Sequence, residues 1–439
     1  SFGKNGAQAA GLWSSVFDFD HDGSSTILGG GDCEPWNPAV HPGAPDIPDN
    51  RIDEDCQDGD LKAAHMAVKP ATLTNPWKAV RKPDVIVISI DGCRRDAIGA
   101  YGAKPGRTPN IDRLAAESVV FDDAIAPASW TTPAFASILS GRFAGKIPGY
   151  YGLSRMKQVP ASMPLLFKPF KSSGYRTVAV TAGLQLDKLG LNRDLDDWIS
   201  VSKGPRARLA GKVADRAIAE IEKVKKDKPL FMWVHFIDPH YPYDPPMEHQ
   251  LFGKDARGRY AGEVHYSDAG LGKVLEALEK SGRSDRAIVV MFADHGEAFL
   301  EHGREFHGES VYAEEVRVPM MIRVPSVPPA RLPNLVSSLD IGPTLWDLIG
   351  ARKSQPTRGV SLAPLIVEGK APDRRYVFSE QTRKVKEFGL TSPDYRLRYD
   401  RTLNRYELFD RKADPAEQED VSARNPVVLR EMRMELARN

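Results

Sequence analysis

From residue 84 onward the chain alternates short apolar runs with longer amphipathic stretches. Asp84-Val-Ile-Val-Ile-Ser-Ile90 has strand length and is mostly β-branched, the pattern of a strand buried on both faces of a parallel sheet. Residues 177–181, 230–236 and 287–292 repeat it. Thr108-Pro-Asn-Ile-Asp-Arg-Leu-Ala-Ala-Glu117 reads as a capped helix with Pro109 in its first turn, and 212–225 and 266–280 carry helical spacing. Alternation on this scale predicts an α/β fold, a central and mostly parallel sheet with helices on both faces. The first sixty residues have no such pattern. Their segment Asn37-Pro-Ala-Val-His-Pro-Gly-Ala-Pro45 is too rich in Pro and Gly for a helix or a central strand.

Charge separates the same two regions. The formal charge of the 439 residues is +1, yet residues 1–60 hold twelve acids and only two bases, so a head of −10 precedes a body of +11. Hydrophobic residues at 41% and charged residues at 27% fit a globular chain with a large core, which excludes a coiled coil or a mostly disordered protein. No apolar run approaches the roughly 18–20 residues of a membrane-spanning helix. The basic excess forms no stripe and has no aromatic platform, so nucleic acid is not an expected partner. The chain starts at Ser1 without a visible signal peptide and is read as mature or trimmed, any export signal or anchor having been removed.

In the head, Asp18-Phe-Asp20-His-Asp22-Gly23 spaces carboxylates at every second residue before a glycine turn, as oxygen-rich loops do around calcium. Asp32, Asp53 and Asp55 belong to a second acidic cluster. Cys33 and Cys56 flank one loop while Cys93 lies elsewhere, so a Cys33–Cys56 disulfide and an extracytoplasmic location are expected; three reduced thiols are the alternative. The stretch D-C-E-P-W-N-P-A-V-H-P-G-A-P-D with D-N-R-I-D-E-D-C-Q-D-G-D resembles the acidic metal-binding repeat of bacterial surface proteins. That resemblance implies a calcium-binding, disulfide-closed module over 1–62, followed by a linker over 63–82.

Candidate chemistry in the body gathers at strand ends, where open α/β sheets bind ligands. Asp91, Asp238 and the pair Asp294-His295 follow three of the apolar runs, and seven of the ten histidines fall between 235 and 307. One such aspartate would be an ordinary turn residue; three with histidines read as a metal site. Thr131 is placed at the cap of a helix beginning Ser129-Trp-Thr-Thr-Pro133, with its hydroxyl at the positive end of the dipole. Arg94, Arg95, Arg142 and Lys146 are candidates for attracting an anion. Cys93, with nothing nearby to activate it, reads as a packing residue.

Residues 83–430 resemble the sulfatase branch of the alkaline phosphatase superfamily. The blocks are S-I-D-G-C-R-R-D-A-I-G-A-Y-G from Ser89, T-P-N-I-D-R-L from Thr108 and S-W-T-T-P-A-F-A-S-I-L-S-G-R from Ser129, followed by H-F-I-D-P-H-Y-P-Y from His235 and F-A-D-H-G-E-A-F-L-E-H-G from Phe292. Tyr312–Pro319, Asp340–Thr344 and Tyr406–Asp410 extend the series. The resemblance implies a catalytic domain over 83–439, smaller as a subdomain from about 355. It also implies that Asp91, Thr131, Asp294 and His295 hold a divalent metal, with Thr131 as the nucleophile of a covalent ester. His240 and His307 would assist the leaving group or face the transferred group.

The departures shape the expected activity. Sulfatases carry Cys or Ser, converted to formylglycine, where this chain has Thr131, and Phe135 stands where their arginine would be. Their Asp-Asp pair is Asp91-Gly92. A threonine with Asp294-His295 resembles phosphoester-cleaving relatives and phosphoethanolamine transferases, so hydrolysis or transfer of phosphate esters is expected. The alternatives are a sulfatase with an unmodified threonine, or an inactive surface or scaffold protein. Imidazole beside carboxylates favours zinc, with manganese or calcium as alternatives. One active-site metal is expected; a second, on Asp238, His240 and His307, stays open. The expected partner is an anionic ester, at the periplasm or cell surface of a bacterium, with attachment through a segment outside this chain.

Overall fold

A computed structural model describes residues 19–20, 33–40, 51–53 and 56 of the head. In the body it describes 82–438 except 105, 149–157, 183–185, 203–207, 352–355, 375 and 382–385. The chain divides into two compact units, residues 1–69 and 70–439.

In the first unit Cys33 and Cys56 form a disulfide with Cα atoms 5.6 Å apart, as expected. Phe19 and Trp36 stack with ring centroids 4.6 Å apart. Of the acids expected to wrap calcium, Asp20 and Asp53 are described, whereas Asp18, Asp22, Asp32 and Asp55 lie outside the described residues, as does the linker before residue 82.

The second unit is built on an eight-stranded sheet. Its strands are β1 (Asp84–Ile90), β2 (Val119–Ile125), β3 (Arg176–Thr181), β4 (Asp197–Ser200), β5 (Leu230–Phe236), β6 (Ala287–Ala293), β7 (Arg317–Arg323) and β8 (Ala330–Ser337). Their order across the sheet is β8-β2-β7-β6-β1-β5-β3-β4. Every pairing is parallel except those of β7, which runs antiparallel to β2 and β6. The apolar runs are the centre of this sheet: β1, β5 and β6 are buried along their whole length. No helix among the described residues is long and apolar enough to cross a membrane.

The helices that matter for the site are α1 (Pro109–Ala116), α2 (Thr131–Ser140), α3 (Ala210–Lys223) and α4 (Ala256–Lys280). Sequence spacing places the start of α4 at residue 266, ten residues late. Glycines mask its first turns, but Asp255 caps them by accepting from Gly258 N, and Gly262 is required by packing. A Cβ on Gly262 would sit 2.5 Å from His249 O, so the helix trades propensity for close approach. A second sheet follows, an antiparallel meander of β9 (Val377–Gln381), β10 (Glu387–Thr391), β11 (Tyr395–Asp400) and β12 (Arg405–Asp410). Leu390, Leu397 and Leu408 are its buried centre, beneath Met432 of the last helix. Gln381 at the end of β9 donates from Nε2 to Gly308 O (2.7 Å) and so meets the active-site loops.

Candidate active site

Strand register brings the first functional groups together. Ile90 of β1 lies beside Phe236 of β5 and Ala293 of β6, so the residues that follow leave the same sheet edge side by side. Asp91 N donates to Phe236 O (2.8 Å), which fixes the turn after β1. Gly92 then adopts φ +55°, a left-handed value that glycine tolerates without steric cost, and its N–H donates to Asp294 Oδ1 (3.2 Å). Where the family pattern offers a second aspartate, this chain offers a backbone donor that orients Asp294.

Thr131 enters from α2. The structure corrects its expected place: Trp130 is the cap and Thr131 the first helical residue, with no side-chain capping bond. Freed from capping, its Oγ1 lies 3.0 Å from Asp91 Oδ2 and 3.0 Å from His295 Nε2. His295 Nδ1–H donates to Gly296 O (2.8 Å), so Nε2 turns its lone pair to the site. One hydroxyl proton thus faces two acceptors. Asp91, Asp294 and His295 are fully buried and Thr131 is 3% exposed.

This acceptor-rich set suits a cation. Among the described residues, Asp91 Oδ1 and Asp294 Oδ2 have no hydrogen-bond partner. Ligand atoms of Asp91, Asp294 and His295 lie within 4.8 Å of one another, and no other group of three or more such residues occurs among those described. Burial pushes the Asp294 carboxyl up to about 8. Burial, reinforced by the Asp294 charge, also raises Asp91. Burial and then His307 hold His295 down at about 4, as a neutral ligand. Two carboxylates, an imidazole and a hydroxyl fit a divalent metal ion.

Two further histidines face this group. His307 has its ring centroid 4.4 Å from that of His295 and 5.1 Å from that of His240. Its Nδ1 lies 3.0 Å from Glu297 Oε1, while His240 Nδ1–H donates to Tyr241 O (2.7 Å). Glu297 is a functional neighbour that sequence reasoning missed, although it stands two residues after His295 in a quoted block. It is fully buried, and burial raises it to about 7. His235, expected to be structural, sits inside β5 with a defined orientation. Trp233 Nε1 donates to Ser89 Oγ (2.8 Å), so the Ser89 hydroxyl proton serves His235 Nδ1 (2.9 Å). His235 Nε2–H therefore points toward Asp91 Oδ2, 3.8 Å away.

Other expectations are redirected. Asp238 follows β5 but turns away: its Oδ1 accepts Leu209 N (2.5 Å) at the start of α3, so it does not join His240 and His307 in a second metal group. Arg94 is spent on Asp96 and Glu301, and Arg95 lies against Tyr101 and Asp122. Neither is free to attract a substrate. Phe135 is core, with ring centroids 4.9 Å from both Trp233 and His235, so its position in α2 has no room for the arginine of the family pattern. Cys93 is buried and its thiol is driven far above the usual range by burial, which makes it the packing residue expected. His249 and His265 pair with each other, Nδ1 to Nδ1 at 2.7 Å.

The family model for Sulfatase matches residues 83–351, and the one described as N-sulphoglucosamine sulphohydrolase, C-terminal, matches 301–438. The N-acetylglucosamine-6-O-sulfatase of Bacteroides thetaiotaomicron is 23% identical over 81% of this chain and 85% of its own. Arylsulfatase A of Homo sapiens is 25% identical over 68% and 70%. A solved structure in complex with its substrate D-glucosamine-2-N,6-O-disulfate matches with a TM-score of 0.71 at 19% identity, covering 82% of this chain and 97% of that one. The phosphonate monoester hydrolase of Agrobacterium radiobacter matches with a TM-score of 0.66 at 19% identity, covering 81% and 95%. These relatives are named mainly for sulfuric esters. The expected preference for phosphoric esters is not supported by them, and the likeness to the phosphonate monoester hydrolase is one of fold alone.

Proposed function

The chain belongs to the sulfatase family, and on that footing we propose that it hydrolyses sulfuric esters of an organic alcohol, with Thr131 as nucleophile at a divalent metal held by Asp91, Asp294 and His295. The observation that carries this reading is the Thr131 hydroxyl, 3.0 Å from two acceptors inside a fully buried carboxylate–imidazole set. A bound divalent ion would neutralise the paired carboxylates and stabilise charge on the ester oxygens.

The chain's own groups supply the rest. Asp91 Oδ2 takes the hydroxyl proton, and the positive end of α2 under Thr131 favours an anionic substrate. As the bond from sulfur to Thr131 Oγ1 forms and that to the alcohol oxygen breaks, the leaving oxygen takes a proton from His307. Glu297 at Nδ1 stabilises the charged form of that imidazole. Water then attacks the sulfur and gives a proton to His307 as the bond from sulfur to Thr131 Oγ1 breaks; Oγ1 takes back its proton from Asp91 Oδ2 and sulfate leaves. His240 lines the same side.

Thr131 itself favours a second reading, a phosphoric or phosphonic ester. A threonine cannot become the aldehyde that sulfatases use, and in-line attack of water on a threonine phosphoester needs none. The Cys33–Cys56 bond supports a place outside the cytoplasm, and the head acids support calcium there. Matched aryl sulfate, phosphate monoester and phosphate diester, assayed after metal analysis, separate the readings. Fastest turnover of sulfate upholds the first and fastest turnover of phosphate the second. Unchanged turnover in Thr131→Ala would sink both.

A further inference from the structure

Two exposed aromatic rings stand beside the catalytic histidines. Tyr241 is 52% exposed and Phe306 38% exposed, and their centroids are 4.8 Å apart in an edge-to-face contact. They come from different segments, and each adjoins one histidine of the site, Tyr241 next to His240 and Phe306 next to His307. The two imidazoles are themselves 5.1 Å apart, so the aromatic pair borders the side from which the leaving alcohol departs.

Neither ring is there by default. Phe306 ends a two-stranded ribbon in which it pairs with Ala298, and it holds φ +70°. A left-handed backbone is unfavourable for a non-glycine residue, and for a bulky side chain it is a true outlier. The ring so placed is partly exposed. Tyr241 is braced from behind by Tyr243 at 5.7 Å, which in turn packs on Tyr260 and Phe299. Exposed aromatic rings beside these histidines offer apolar surface on which a flat group can stack.

We propose that Tyr241 and Phe306 form the subsite for the alcohol half of the substrate, and that this half is a ring, pyranose or aryl, rather than a flexible chain. The shared chemistry is a flat face with C–H or π contacts, which an aromatic pair rewards and a linear alkyl group meets poorly. This rests on the ester-hydrolase reading above, and the experiment keeps the two apart.

The test compares a sulfated methyl pyranoside, an aryl sulfate and a linear alkyl sulfate, with their phosphate counterparts. Wild type, Tyr241→Ala, Phe306→Ala and Tyr241→Phe are assayed, and the same esters are titrated by calorimetry into Thr131→Ala, which binds without turnover. The expected result is a preference of wild type for ring esters that each alanine variant weakens about three- to tenfold through KM. Tyr241→Phe retains it, and the ring that suffers more from the alanine changes identifies the source. Equal losses on ring and linear esters, or no loss, would overturn the subsite. Ring-selective binding in Thr131→Ala without hydrolysis by wild type would leave the subsite standing and remove the catalytic reading.

Discussion

Replacing Asp294 with Asn should abolish metal binding yet make the metal-free protein more stable. Burial lifts the Asp294 carboxyl from an ordinary 3.8 to about 8. For an acid the sign is unfavourable: the folded chain keeps a proton that the unfolded chain has released, so stability falls as pH rises from about 4 to about 8 and is flat above. At about 1.4 kcal/mol per unit, that loss is on the order of 5 kcal/mol at pH 8. Asn avoids it. Its Oδ1 can still accept Gly92 N, and its amide nitrogen would face His295 Nε2, which lies 3.5 Å from the present Oδ2. The assay is urea unfolding in chelator at pH 5 and pH 8, repeated with excess zinc. Wild type should gain at least ~2.7 kcal/mol from zinc at a hundred times its Kd, and Asp294→Asn should gain little. The metal-free variant should exceed wild type by several kcal/mol at pH 8 and by much less at pH 5. A variant no more stable than wild type at pH 8, or equal stabilisation of both by zinc, would refute the reasoning.

Three other substitutions probe separate parts. At the opposite end of β1 from the site, Asp84 is buried and binds Arg283, Arg286 and Leu230 N. Asp84→Ala strands the buried Arg283 and should cost about 3–5 kcal/mol in denaturant unfolding. Glu297→Gln should slow esters of poorly leaving alkyl alcohols by about 10²–10⁴ while nitrophenyl esters suffer far less, because only the former need protonation by His307. An equal loss on both would remove His307 from that role. Asp238→Asn, whose Oδ1 can still accept Leu209 N, should leave metal stoichiometry unchanged, read by metal analysis of the purified protein. Reduced metal content there would restore Asp238 as a ligand.

The centre of the fold was legible because β1, β5 and β6 are buried on both faces and so carry unbroken apolar runs. β8 was not. Its Pro333 lies within a register shift between Leu332 and Leu335, and only its last three residues are fully buried. Asp91, Asp294 and His295 could be chosen because strand ends and family blocks agree on them. Asp238 shows the limit of the first criterion alone: a carboxylate at a strand end serves equally well to hold the next helix. Glu297 was in view, but its burial against His307 is a fact of three dimensions. Tyr260, whose hydroxyl donates to Gly92 O (2.7 Å) from 168 residues away, left no local signal at all.

The central claim is a covalent ester on Thr131, and the most direct measurement is rapid acid quench during turnover, followed by mass mapping of the peptide that holds this residue. The account predicts one sulfuryl or phosphoryl group on Thr131 in the wild-type enzyme and neither label nor turnover in Thr131→Ala. Turnover in Thr131→Ala, with the wild-type Thr131 peptide unlabelled at every quench time, would contradict it.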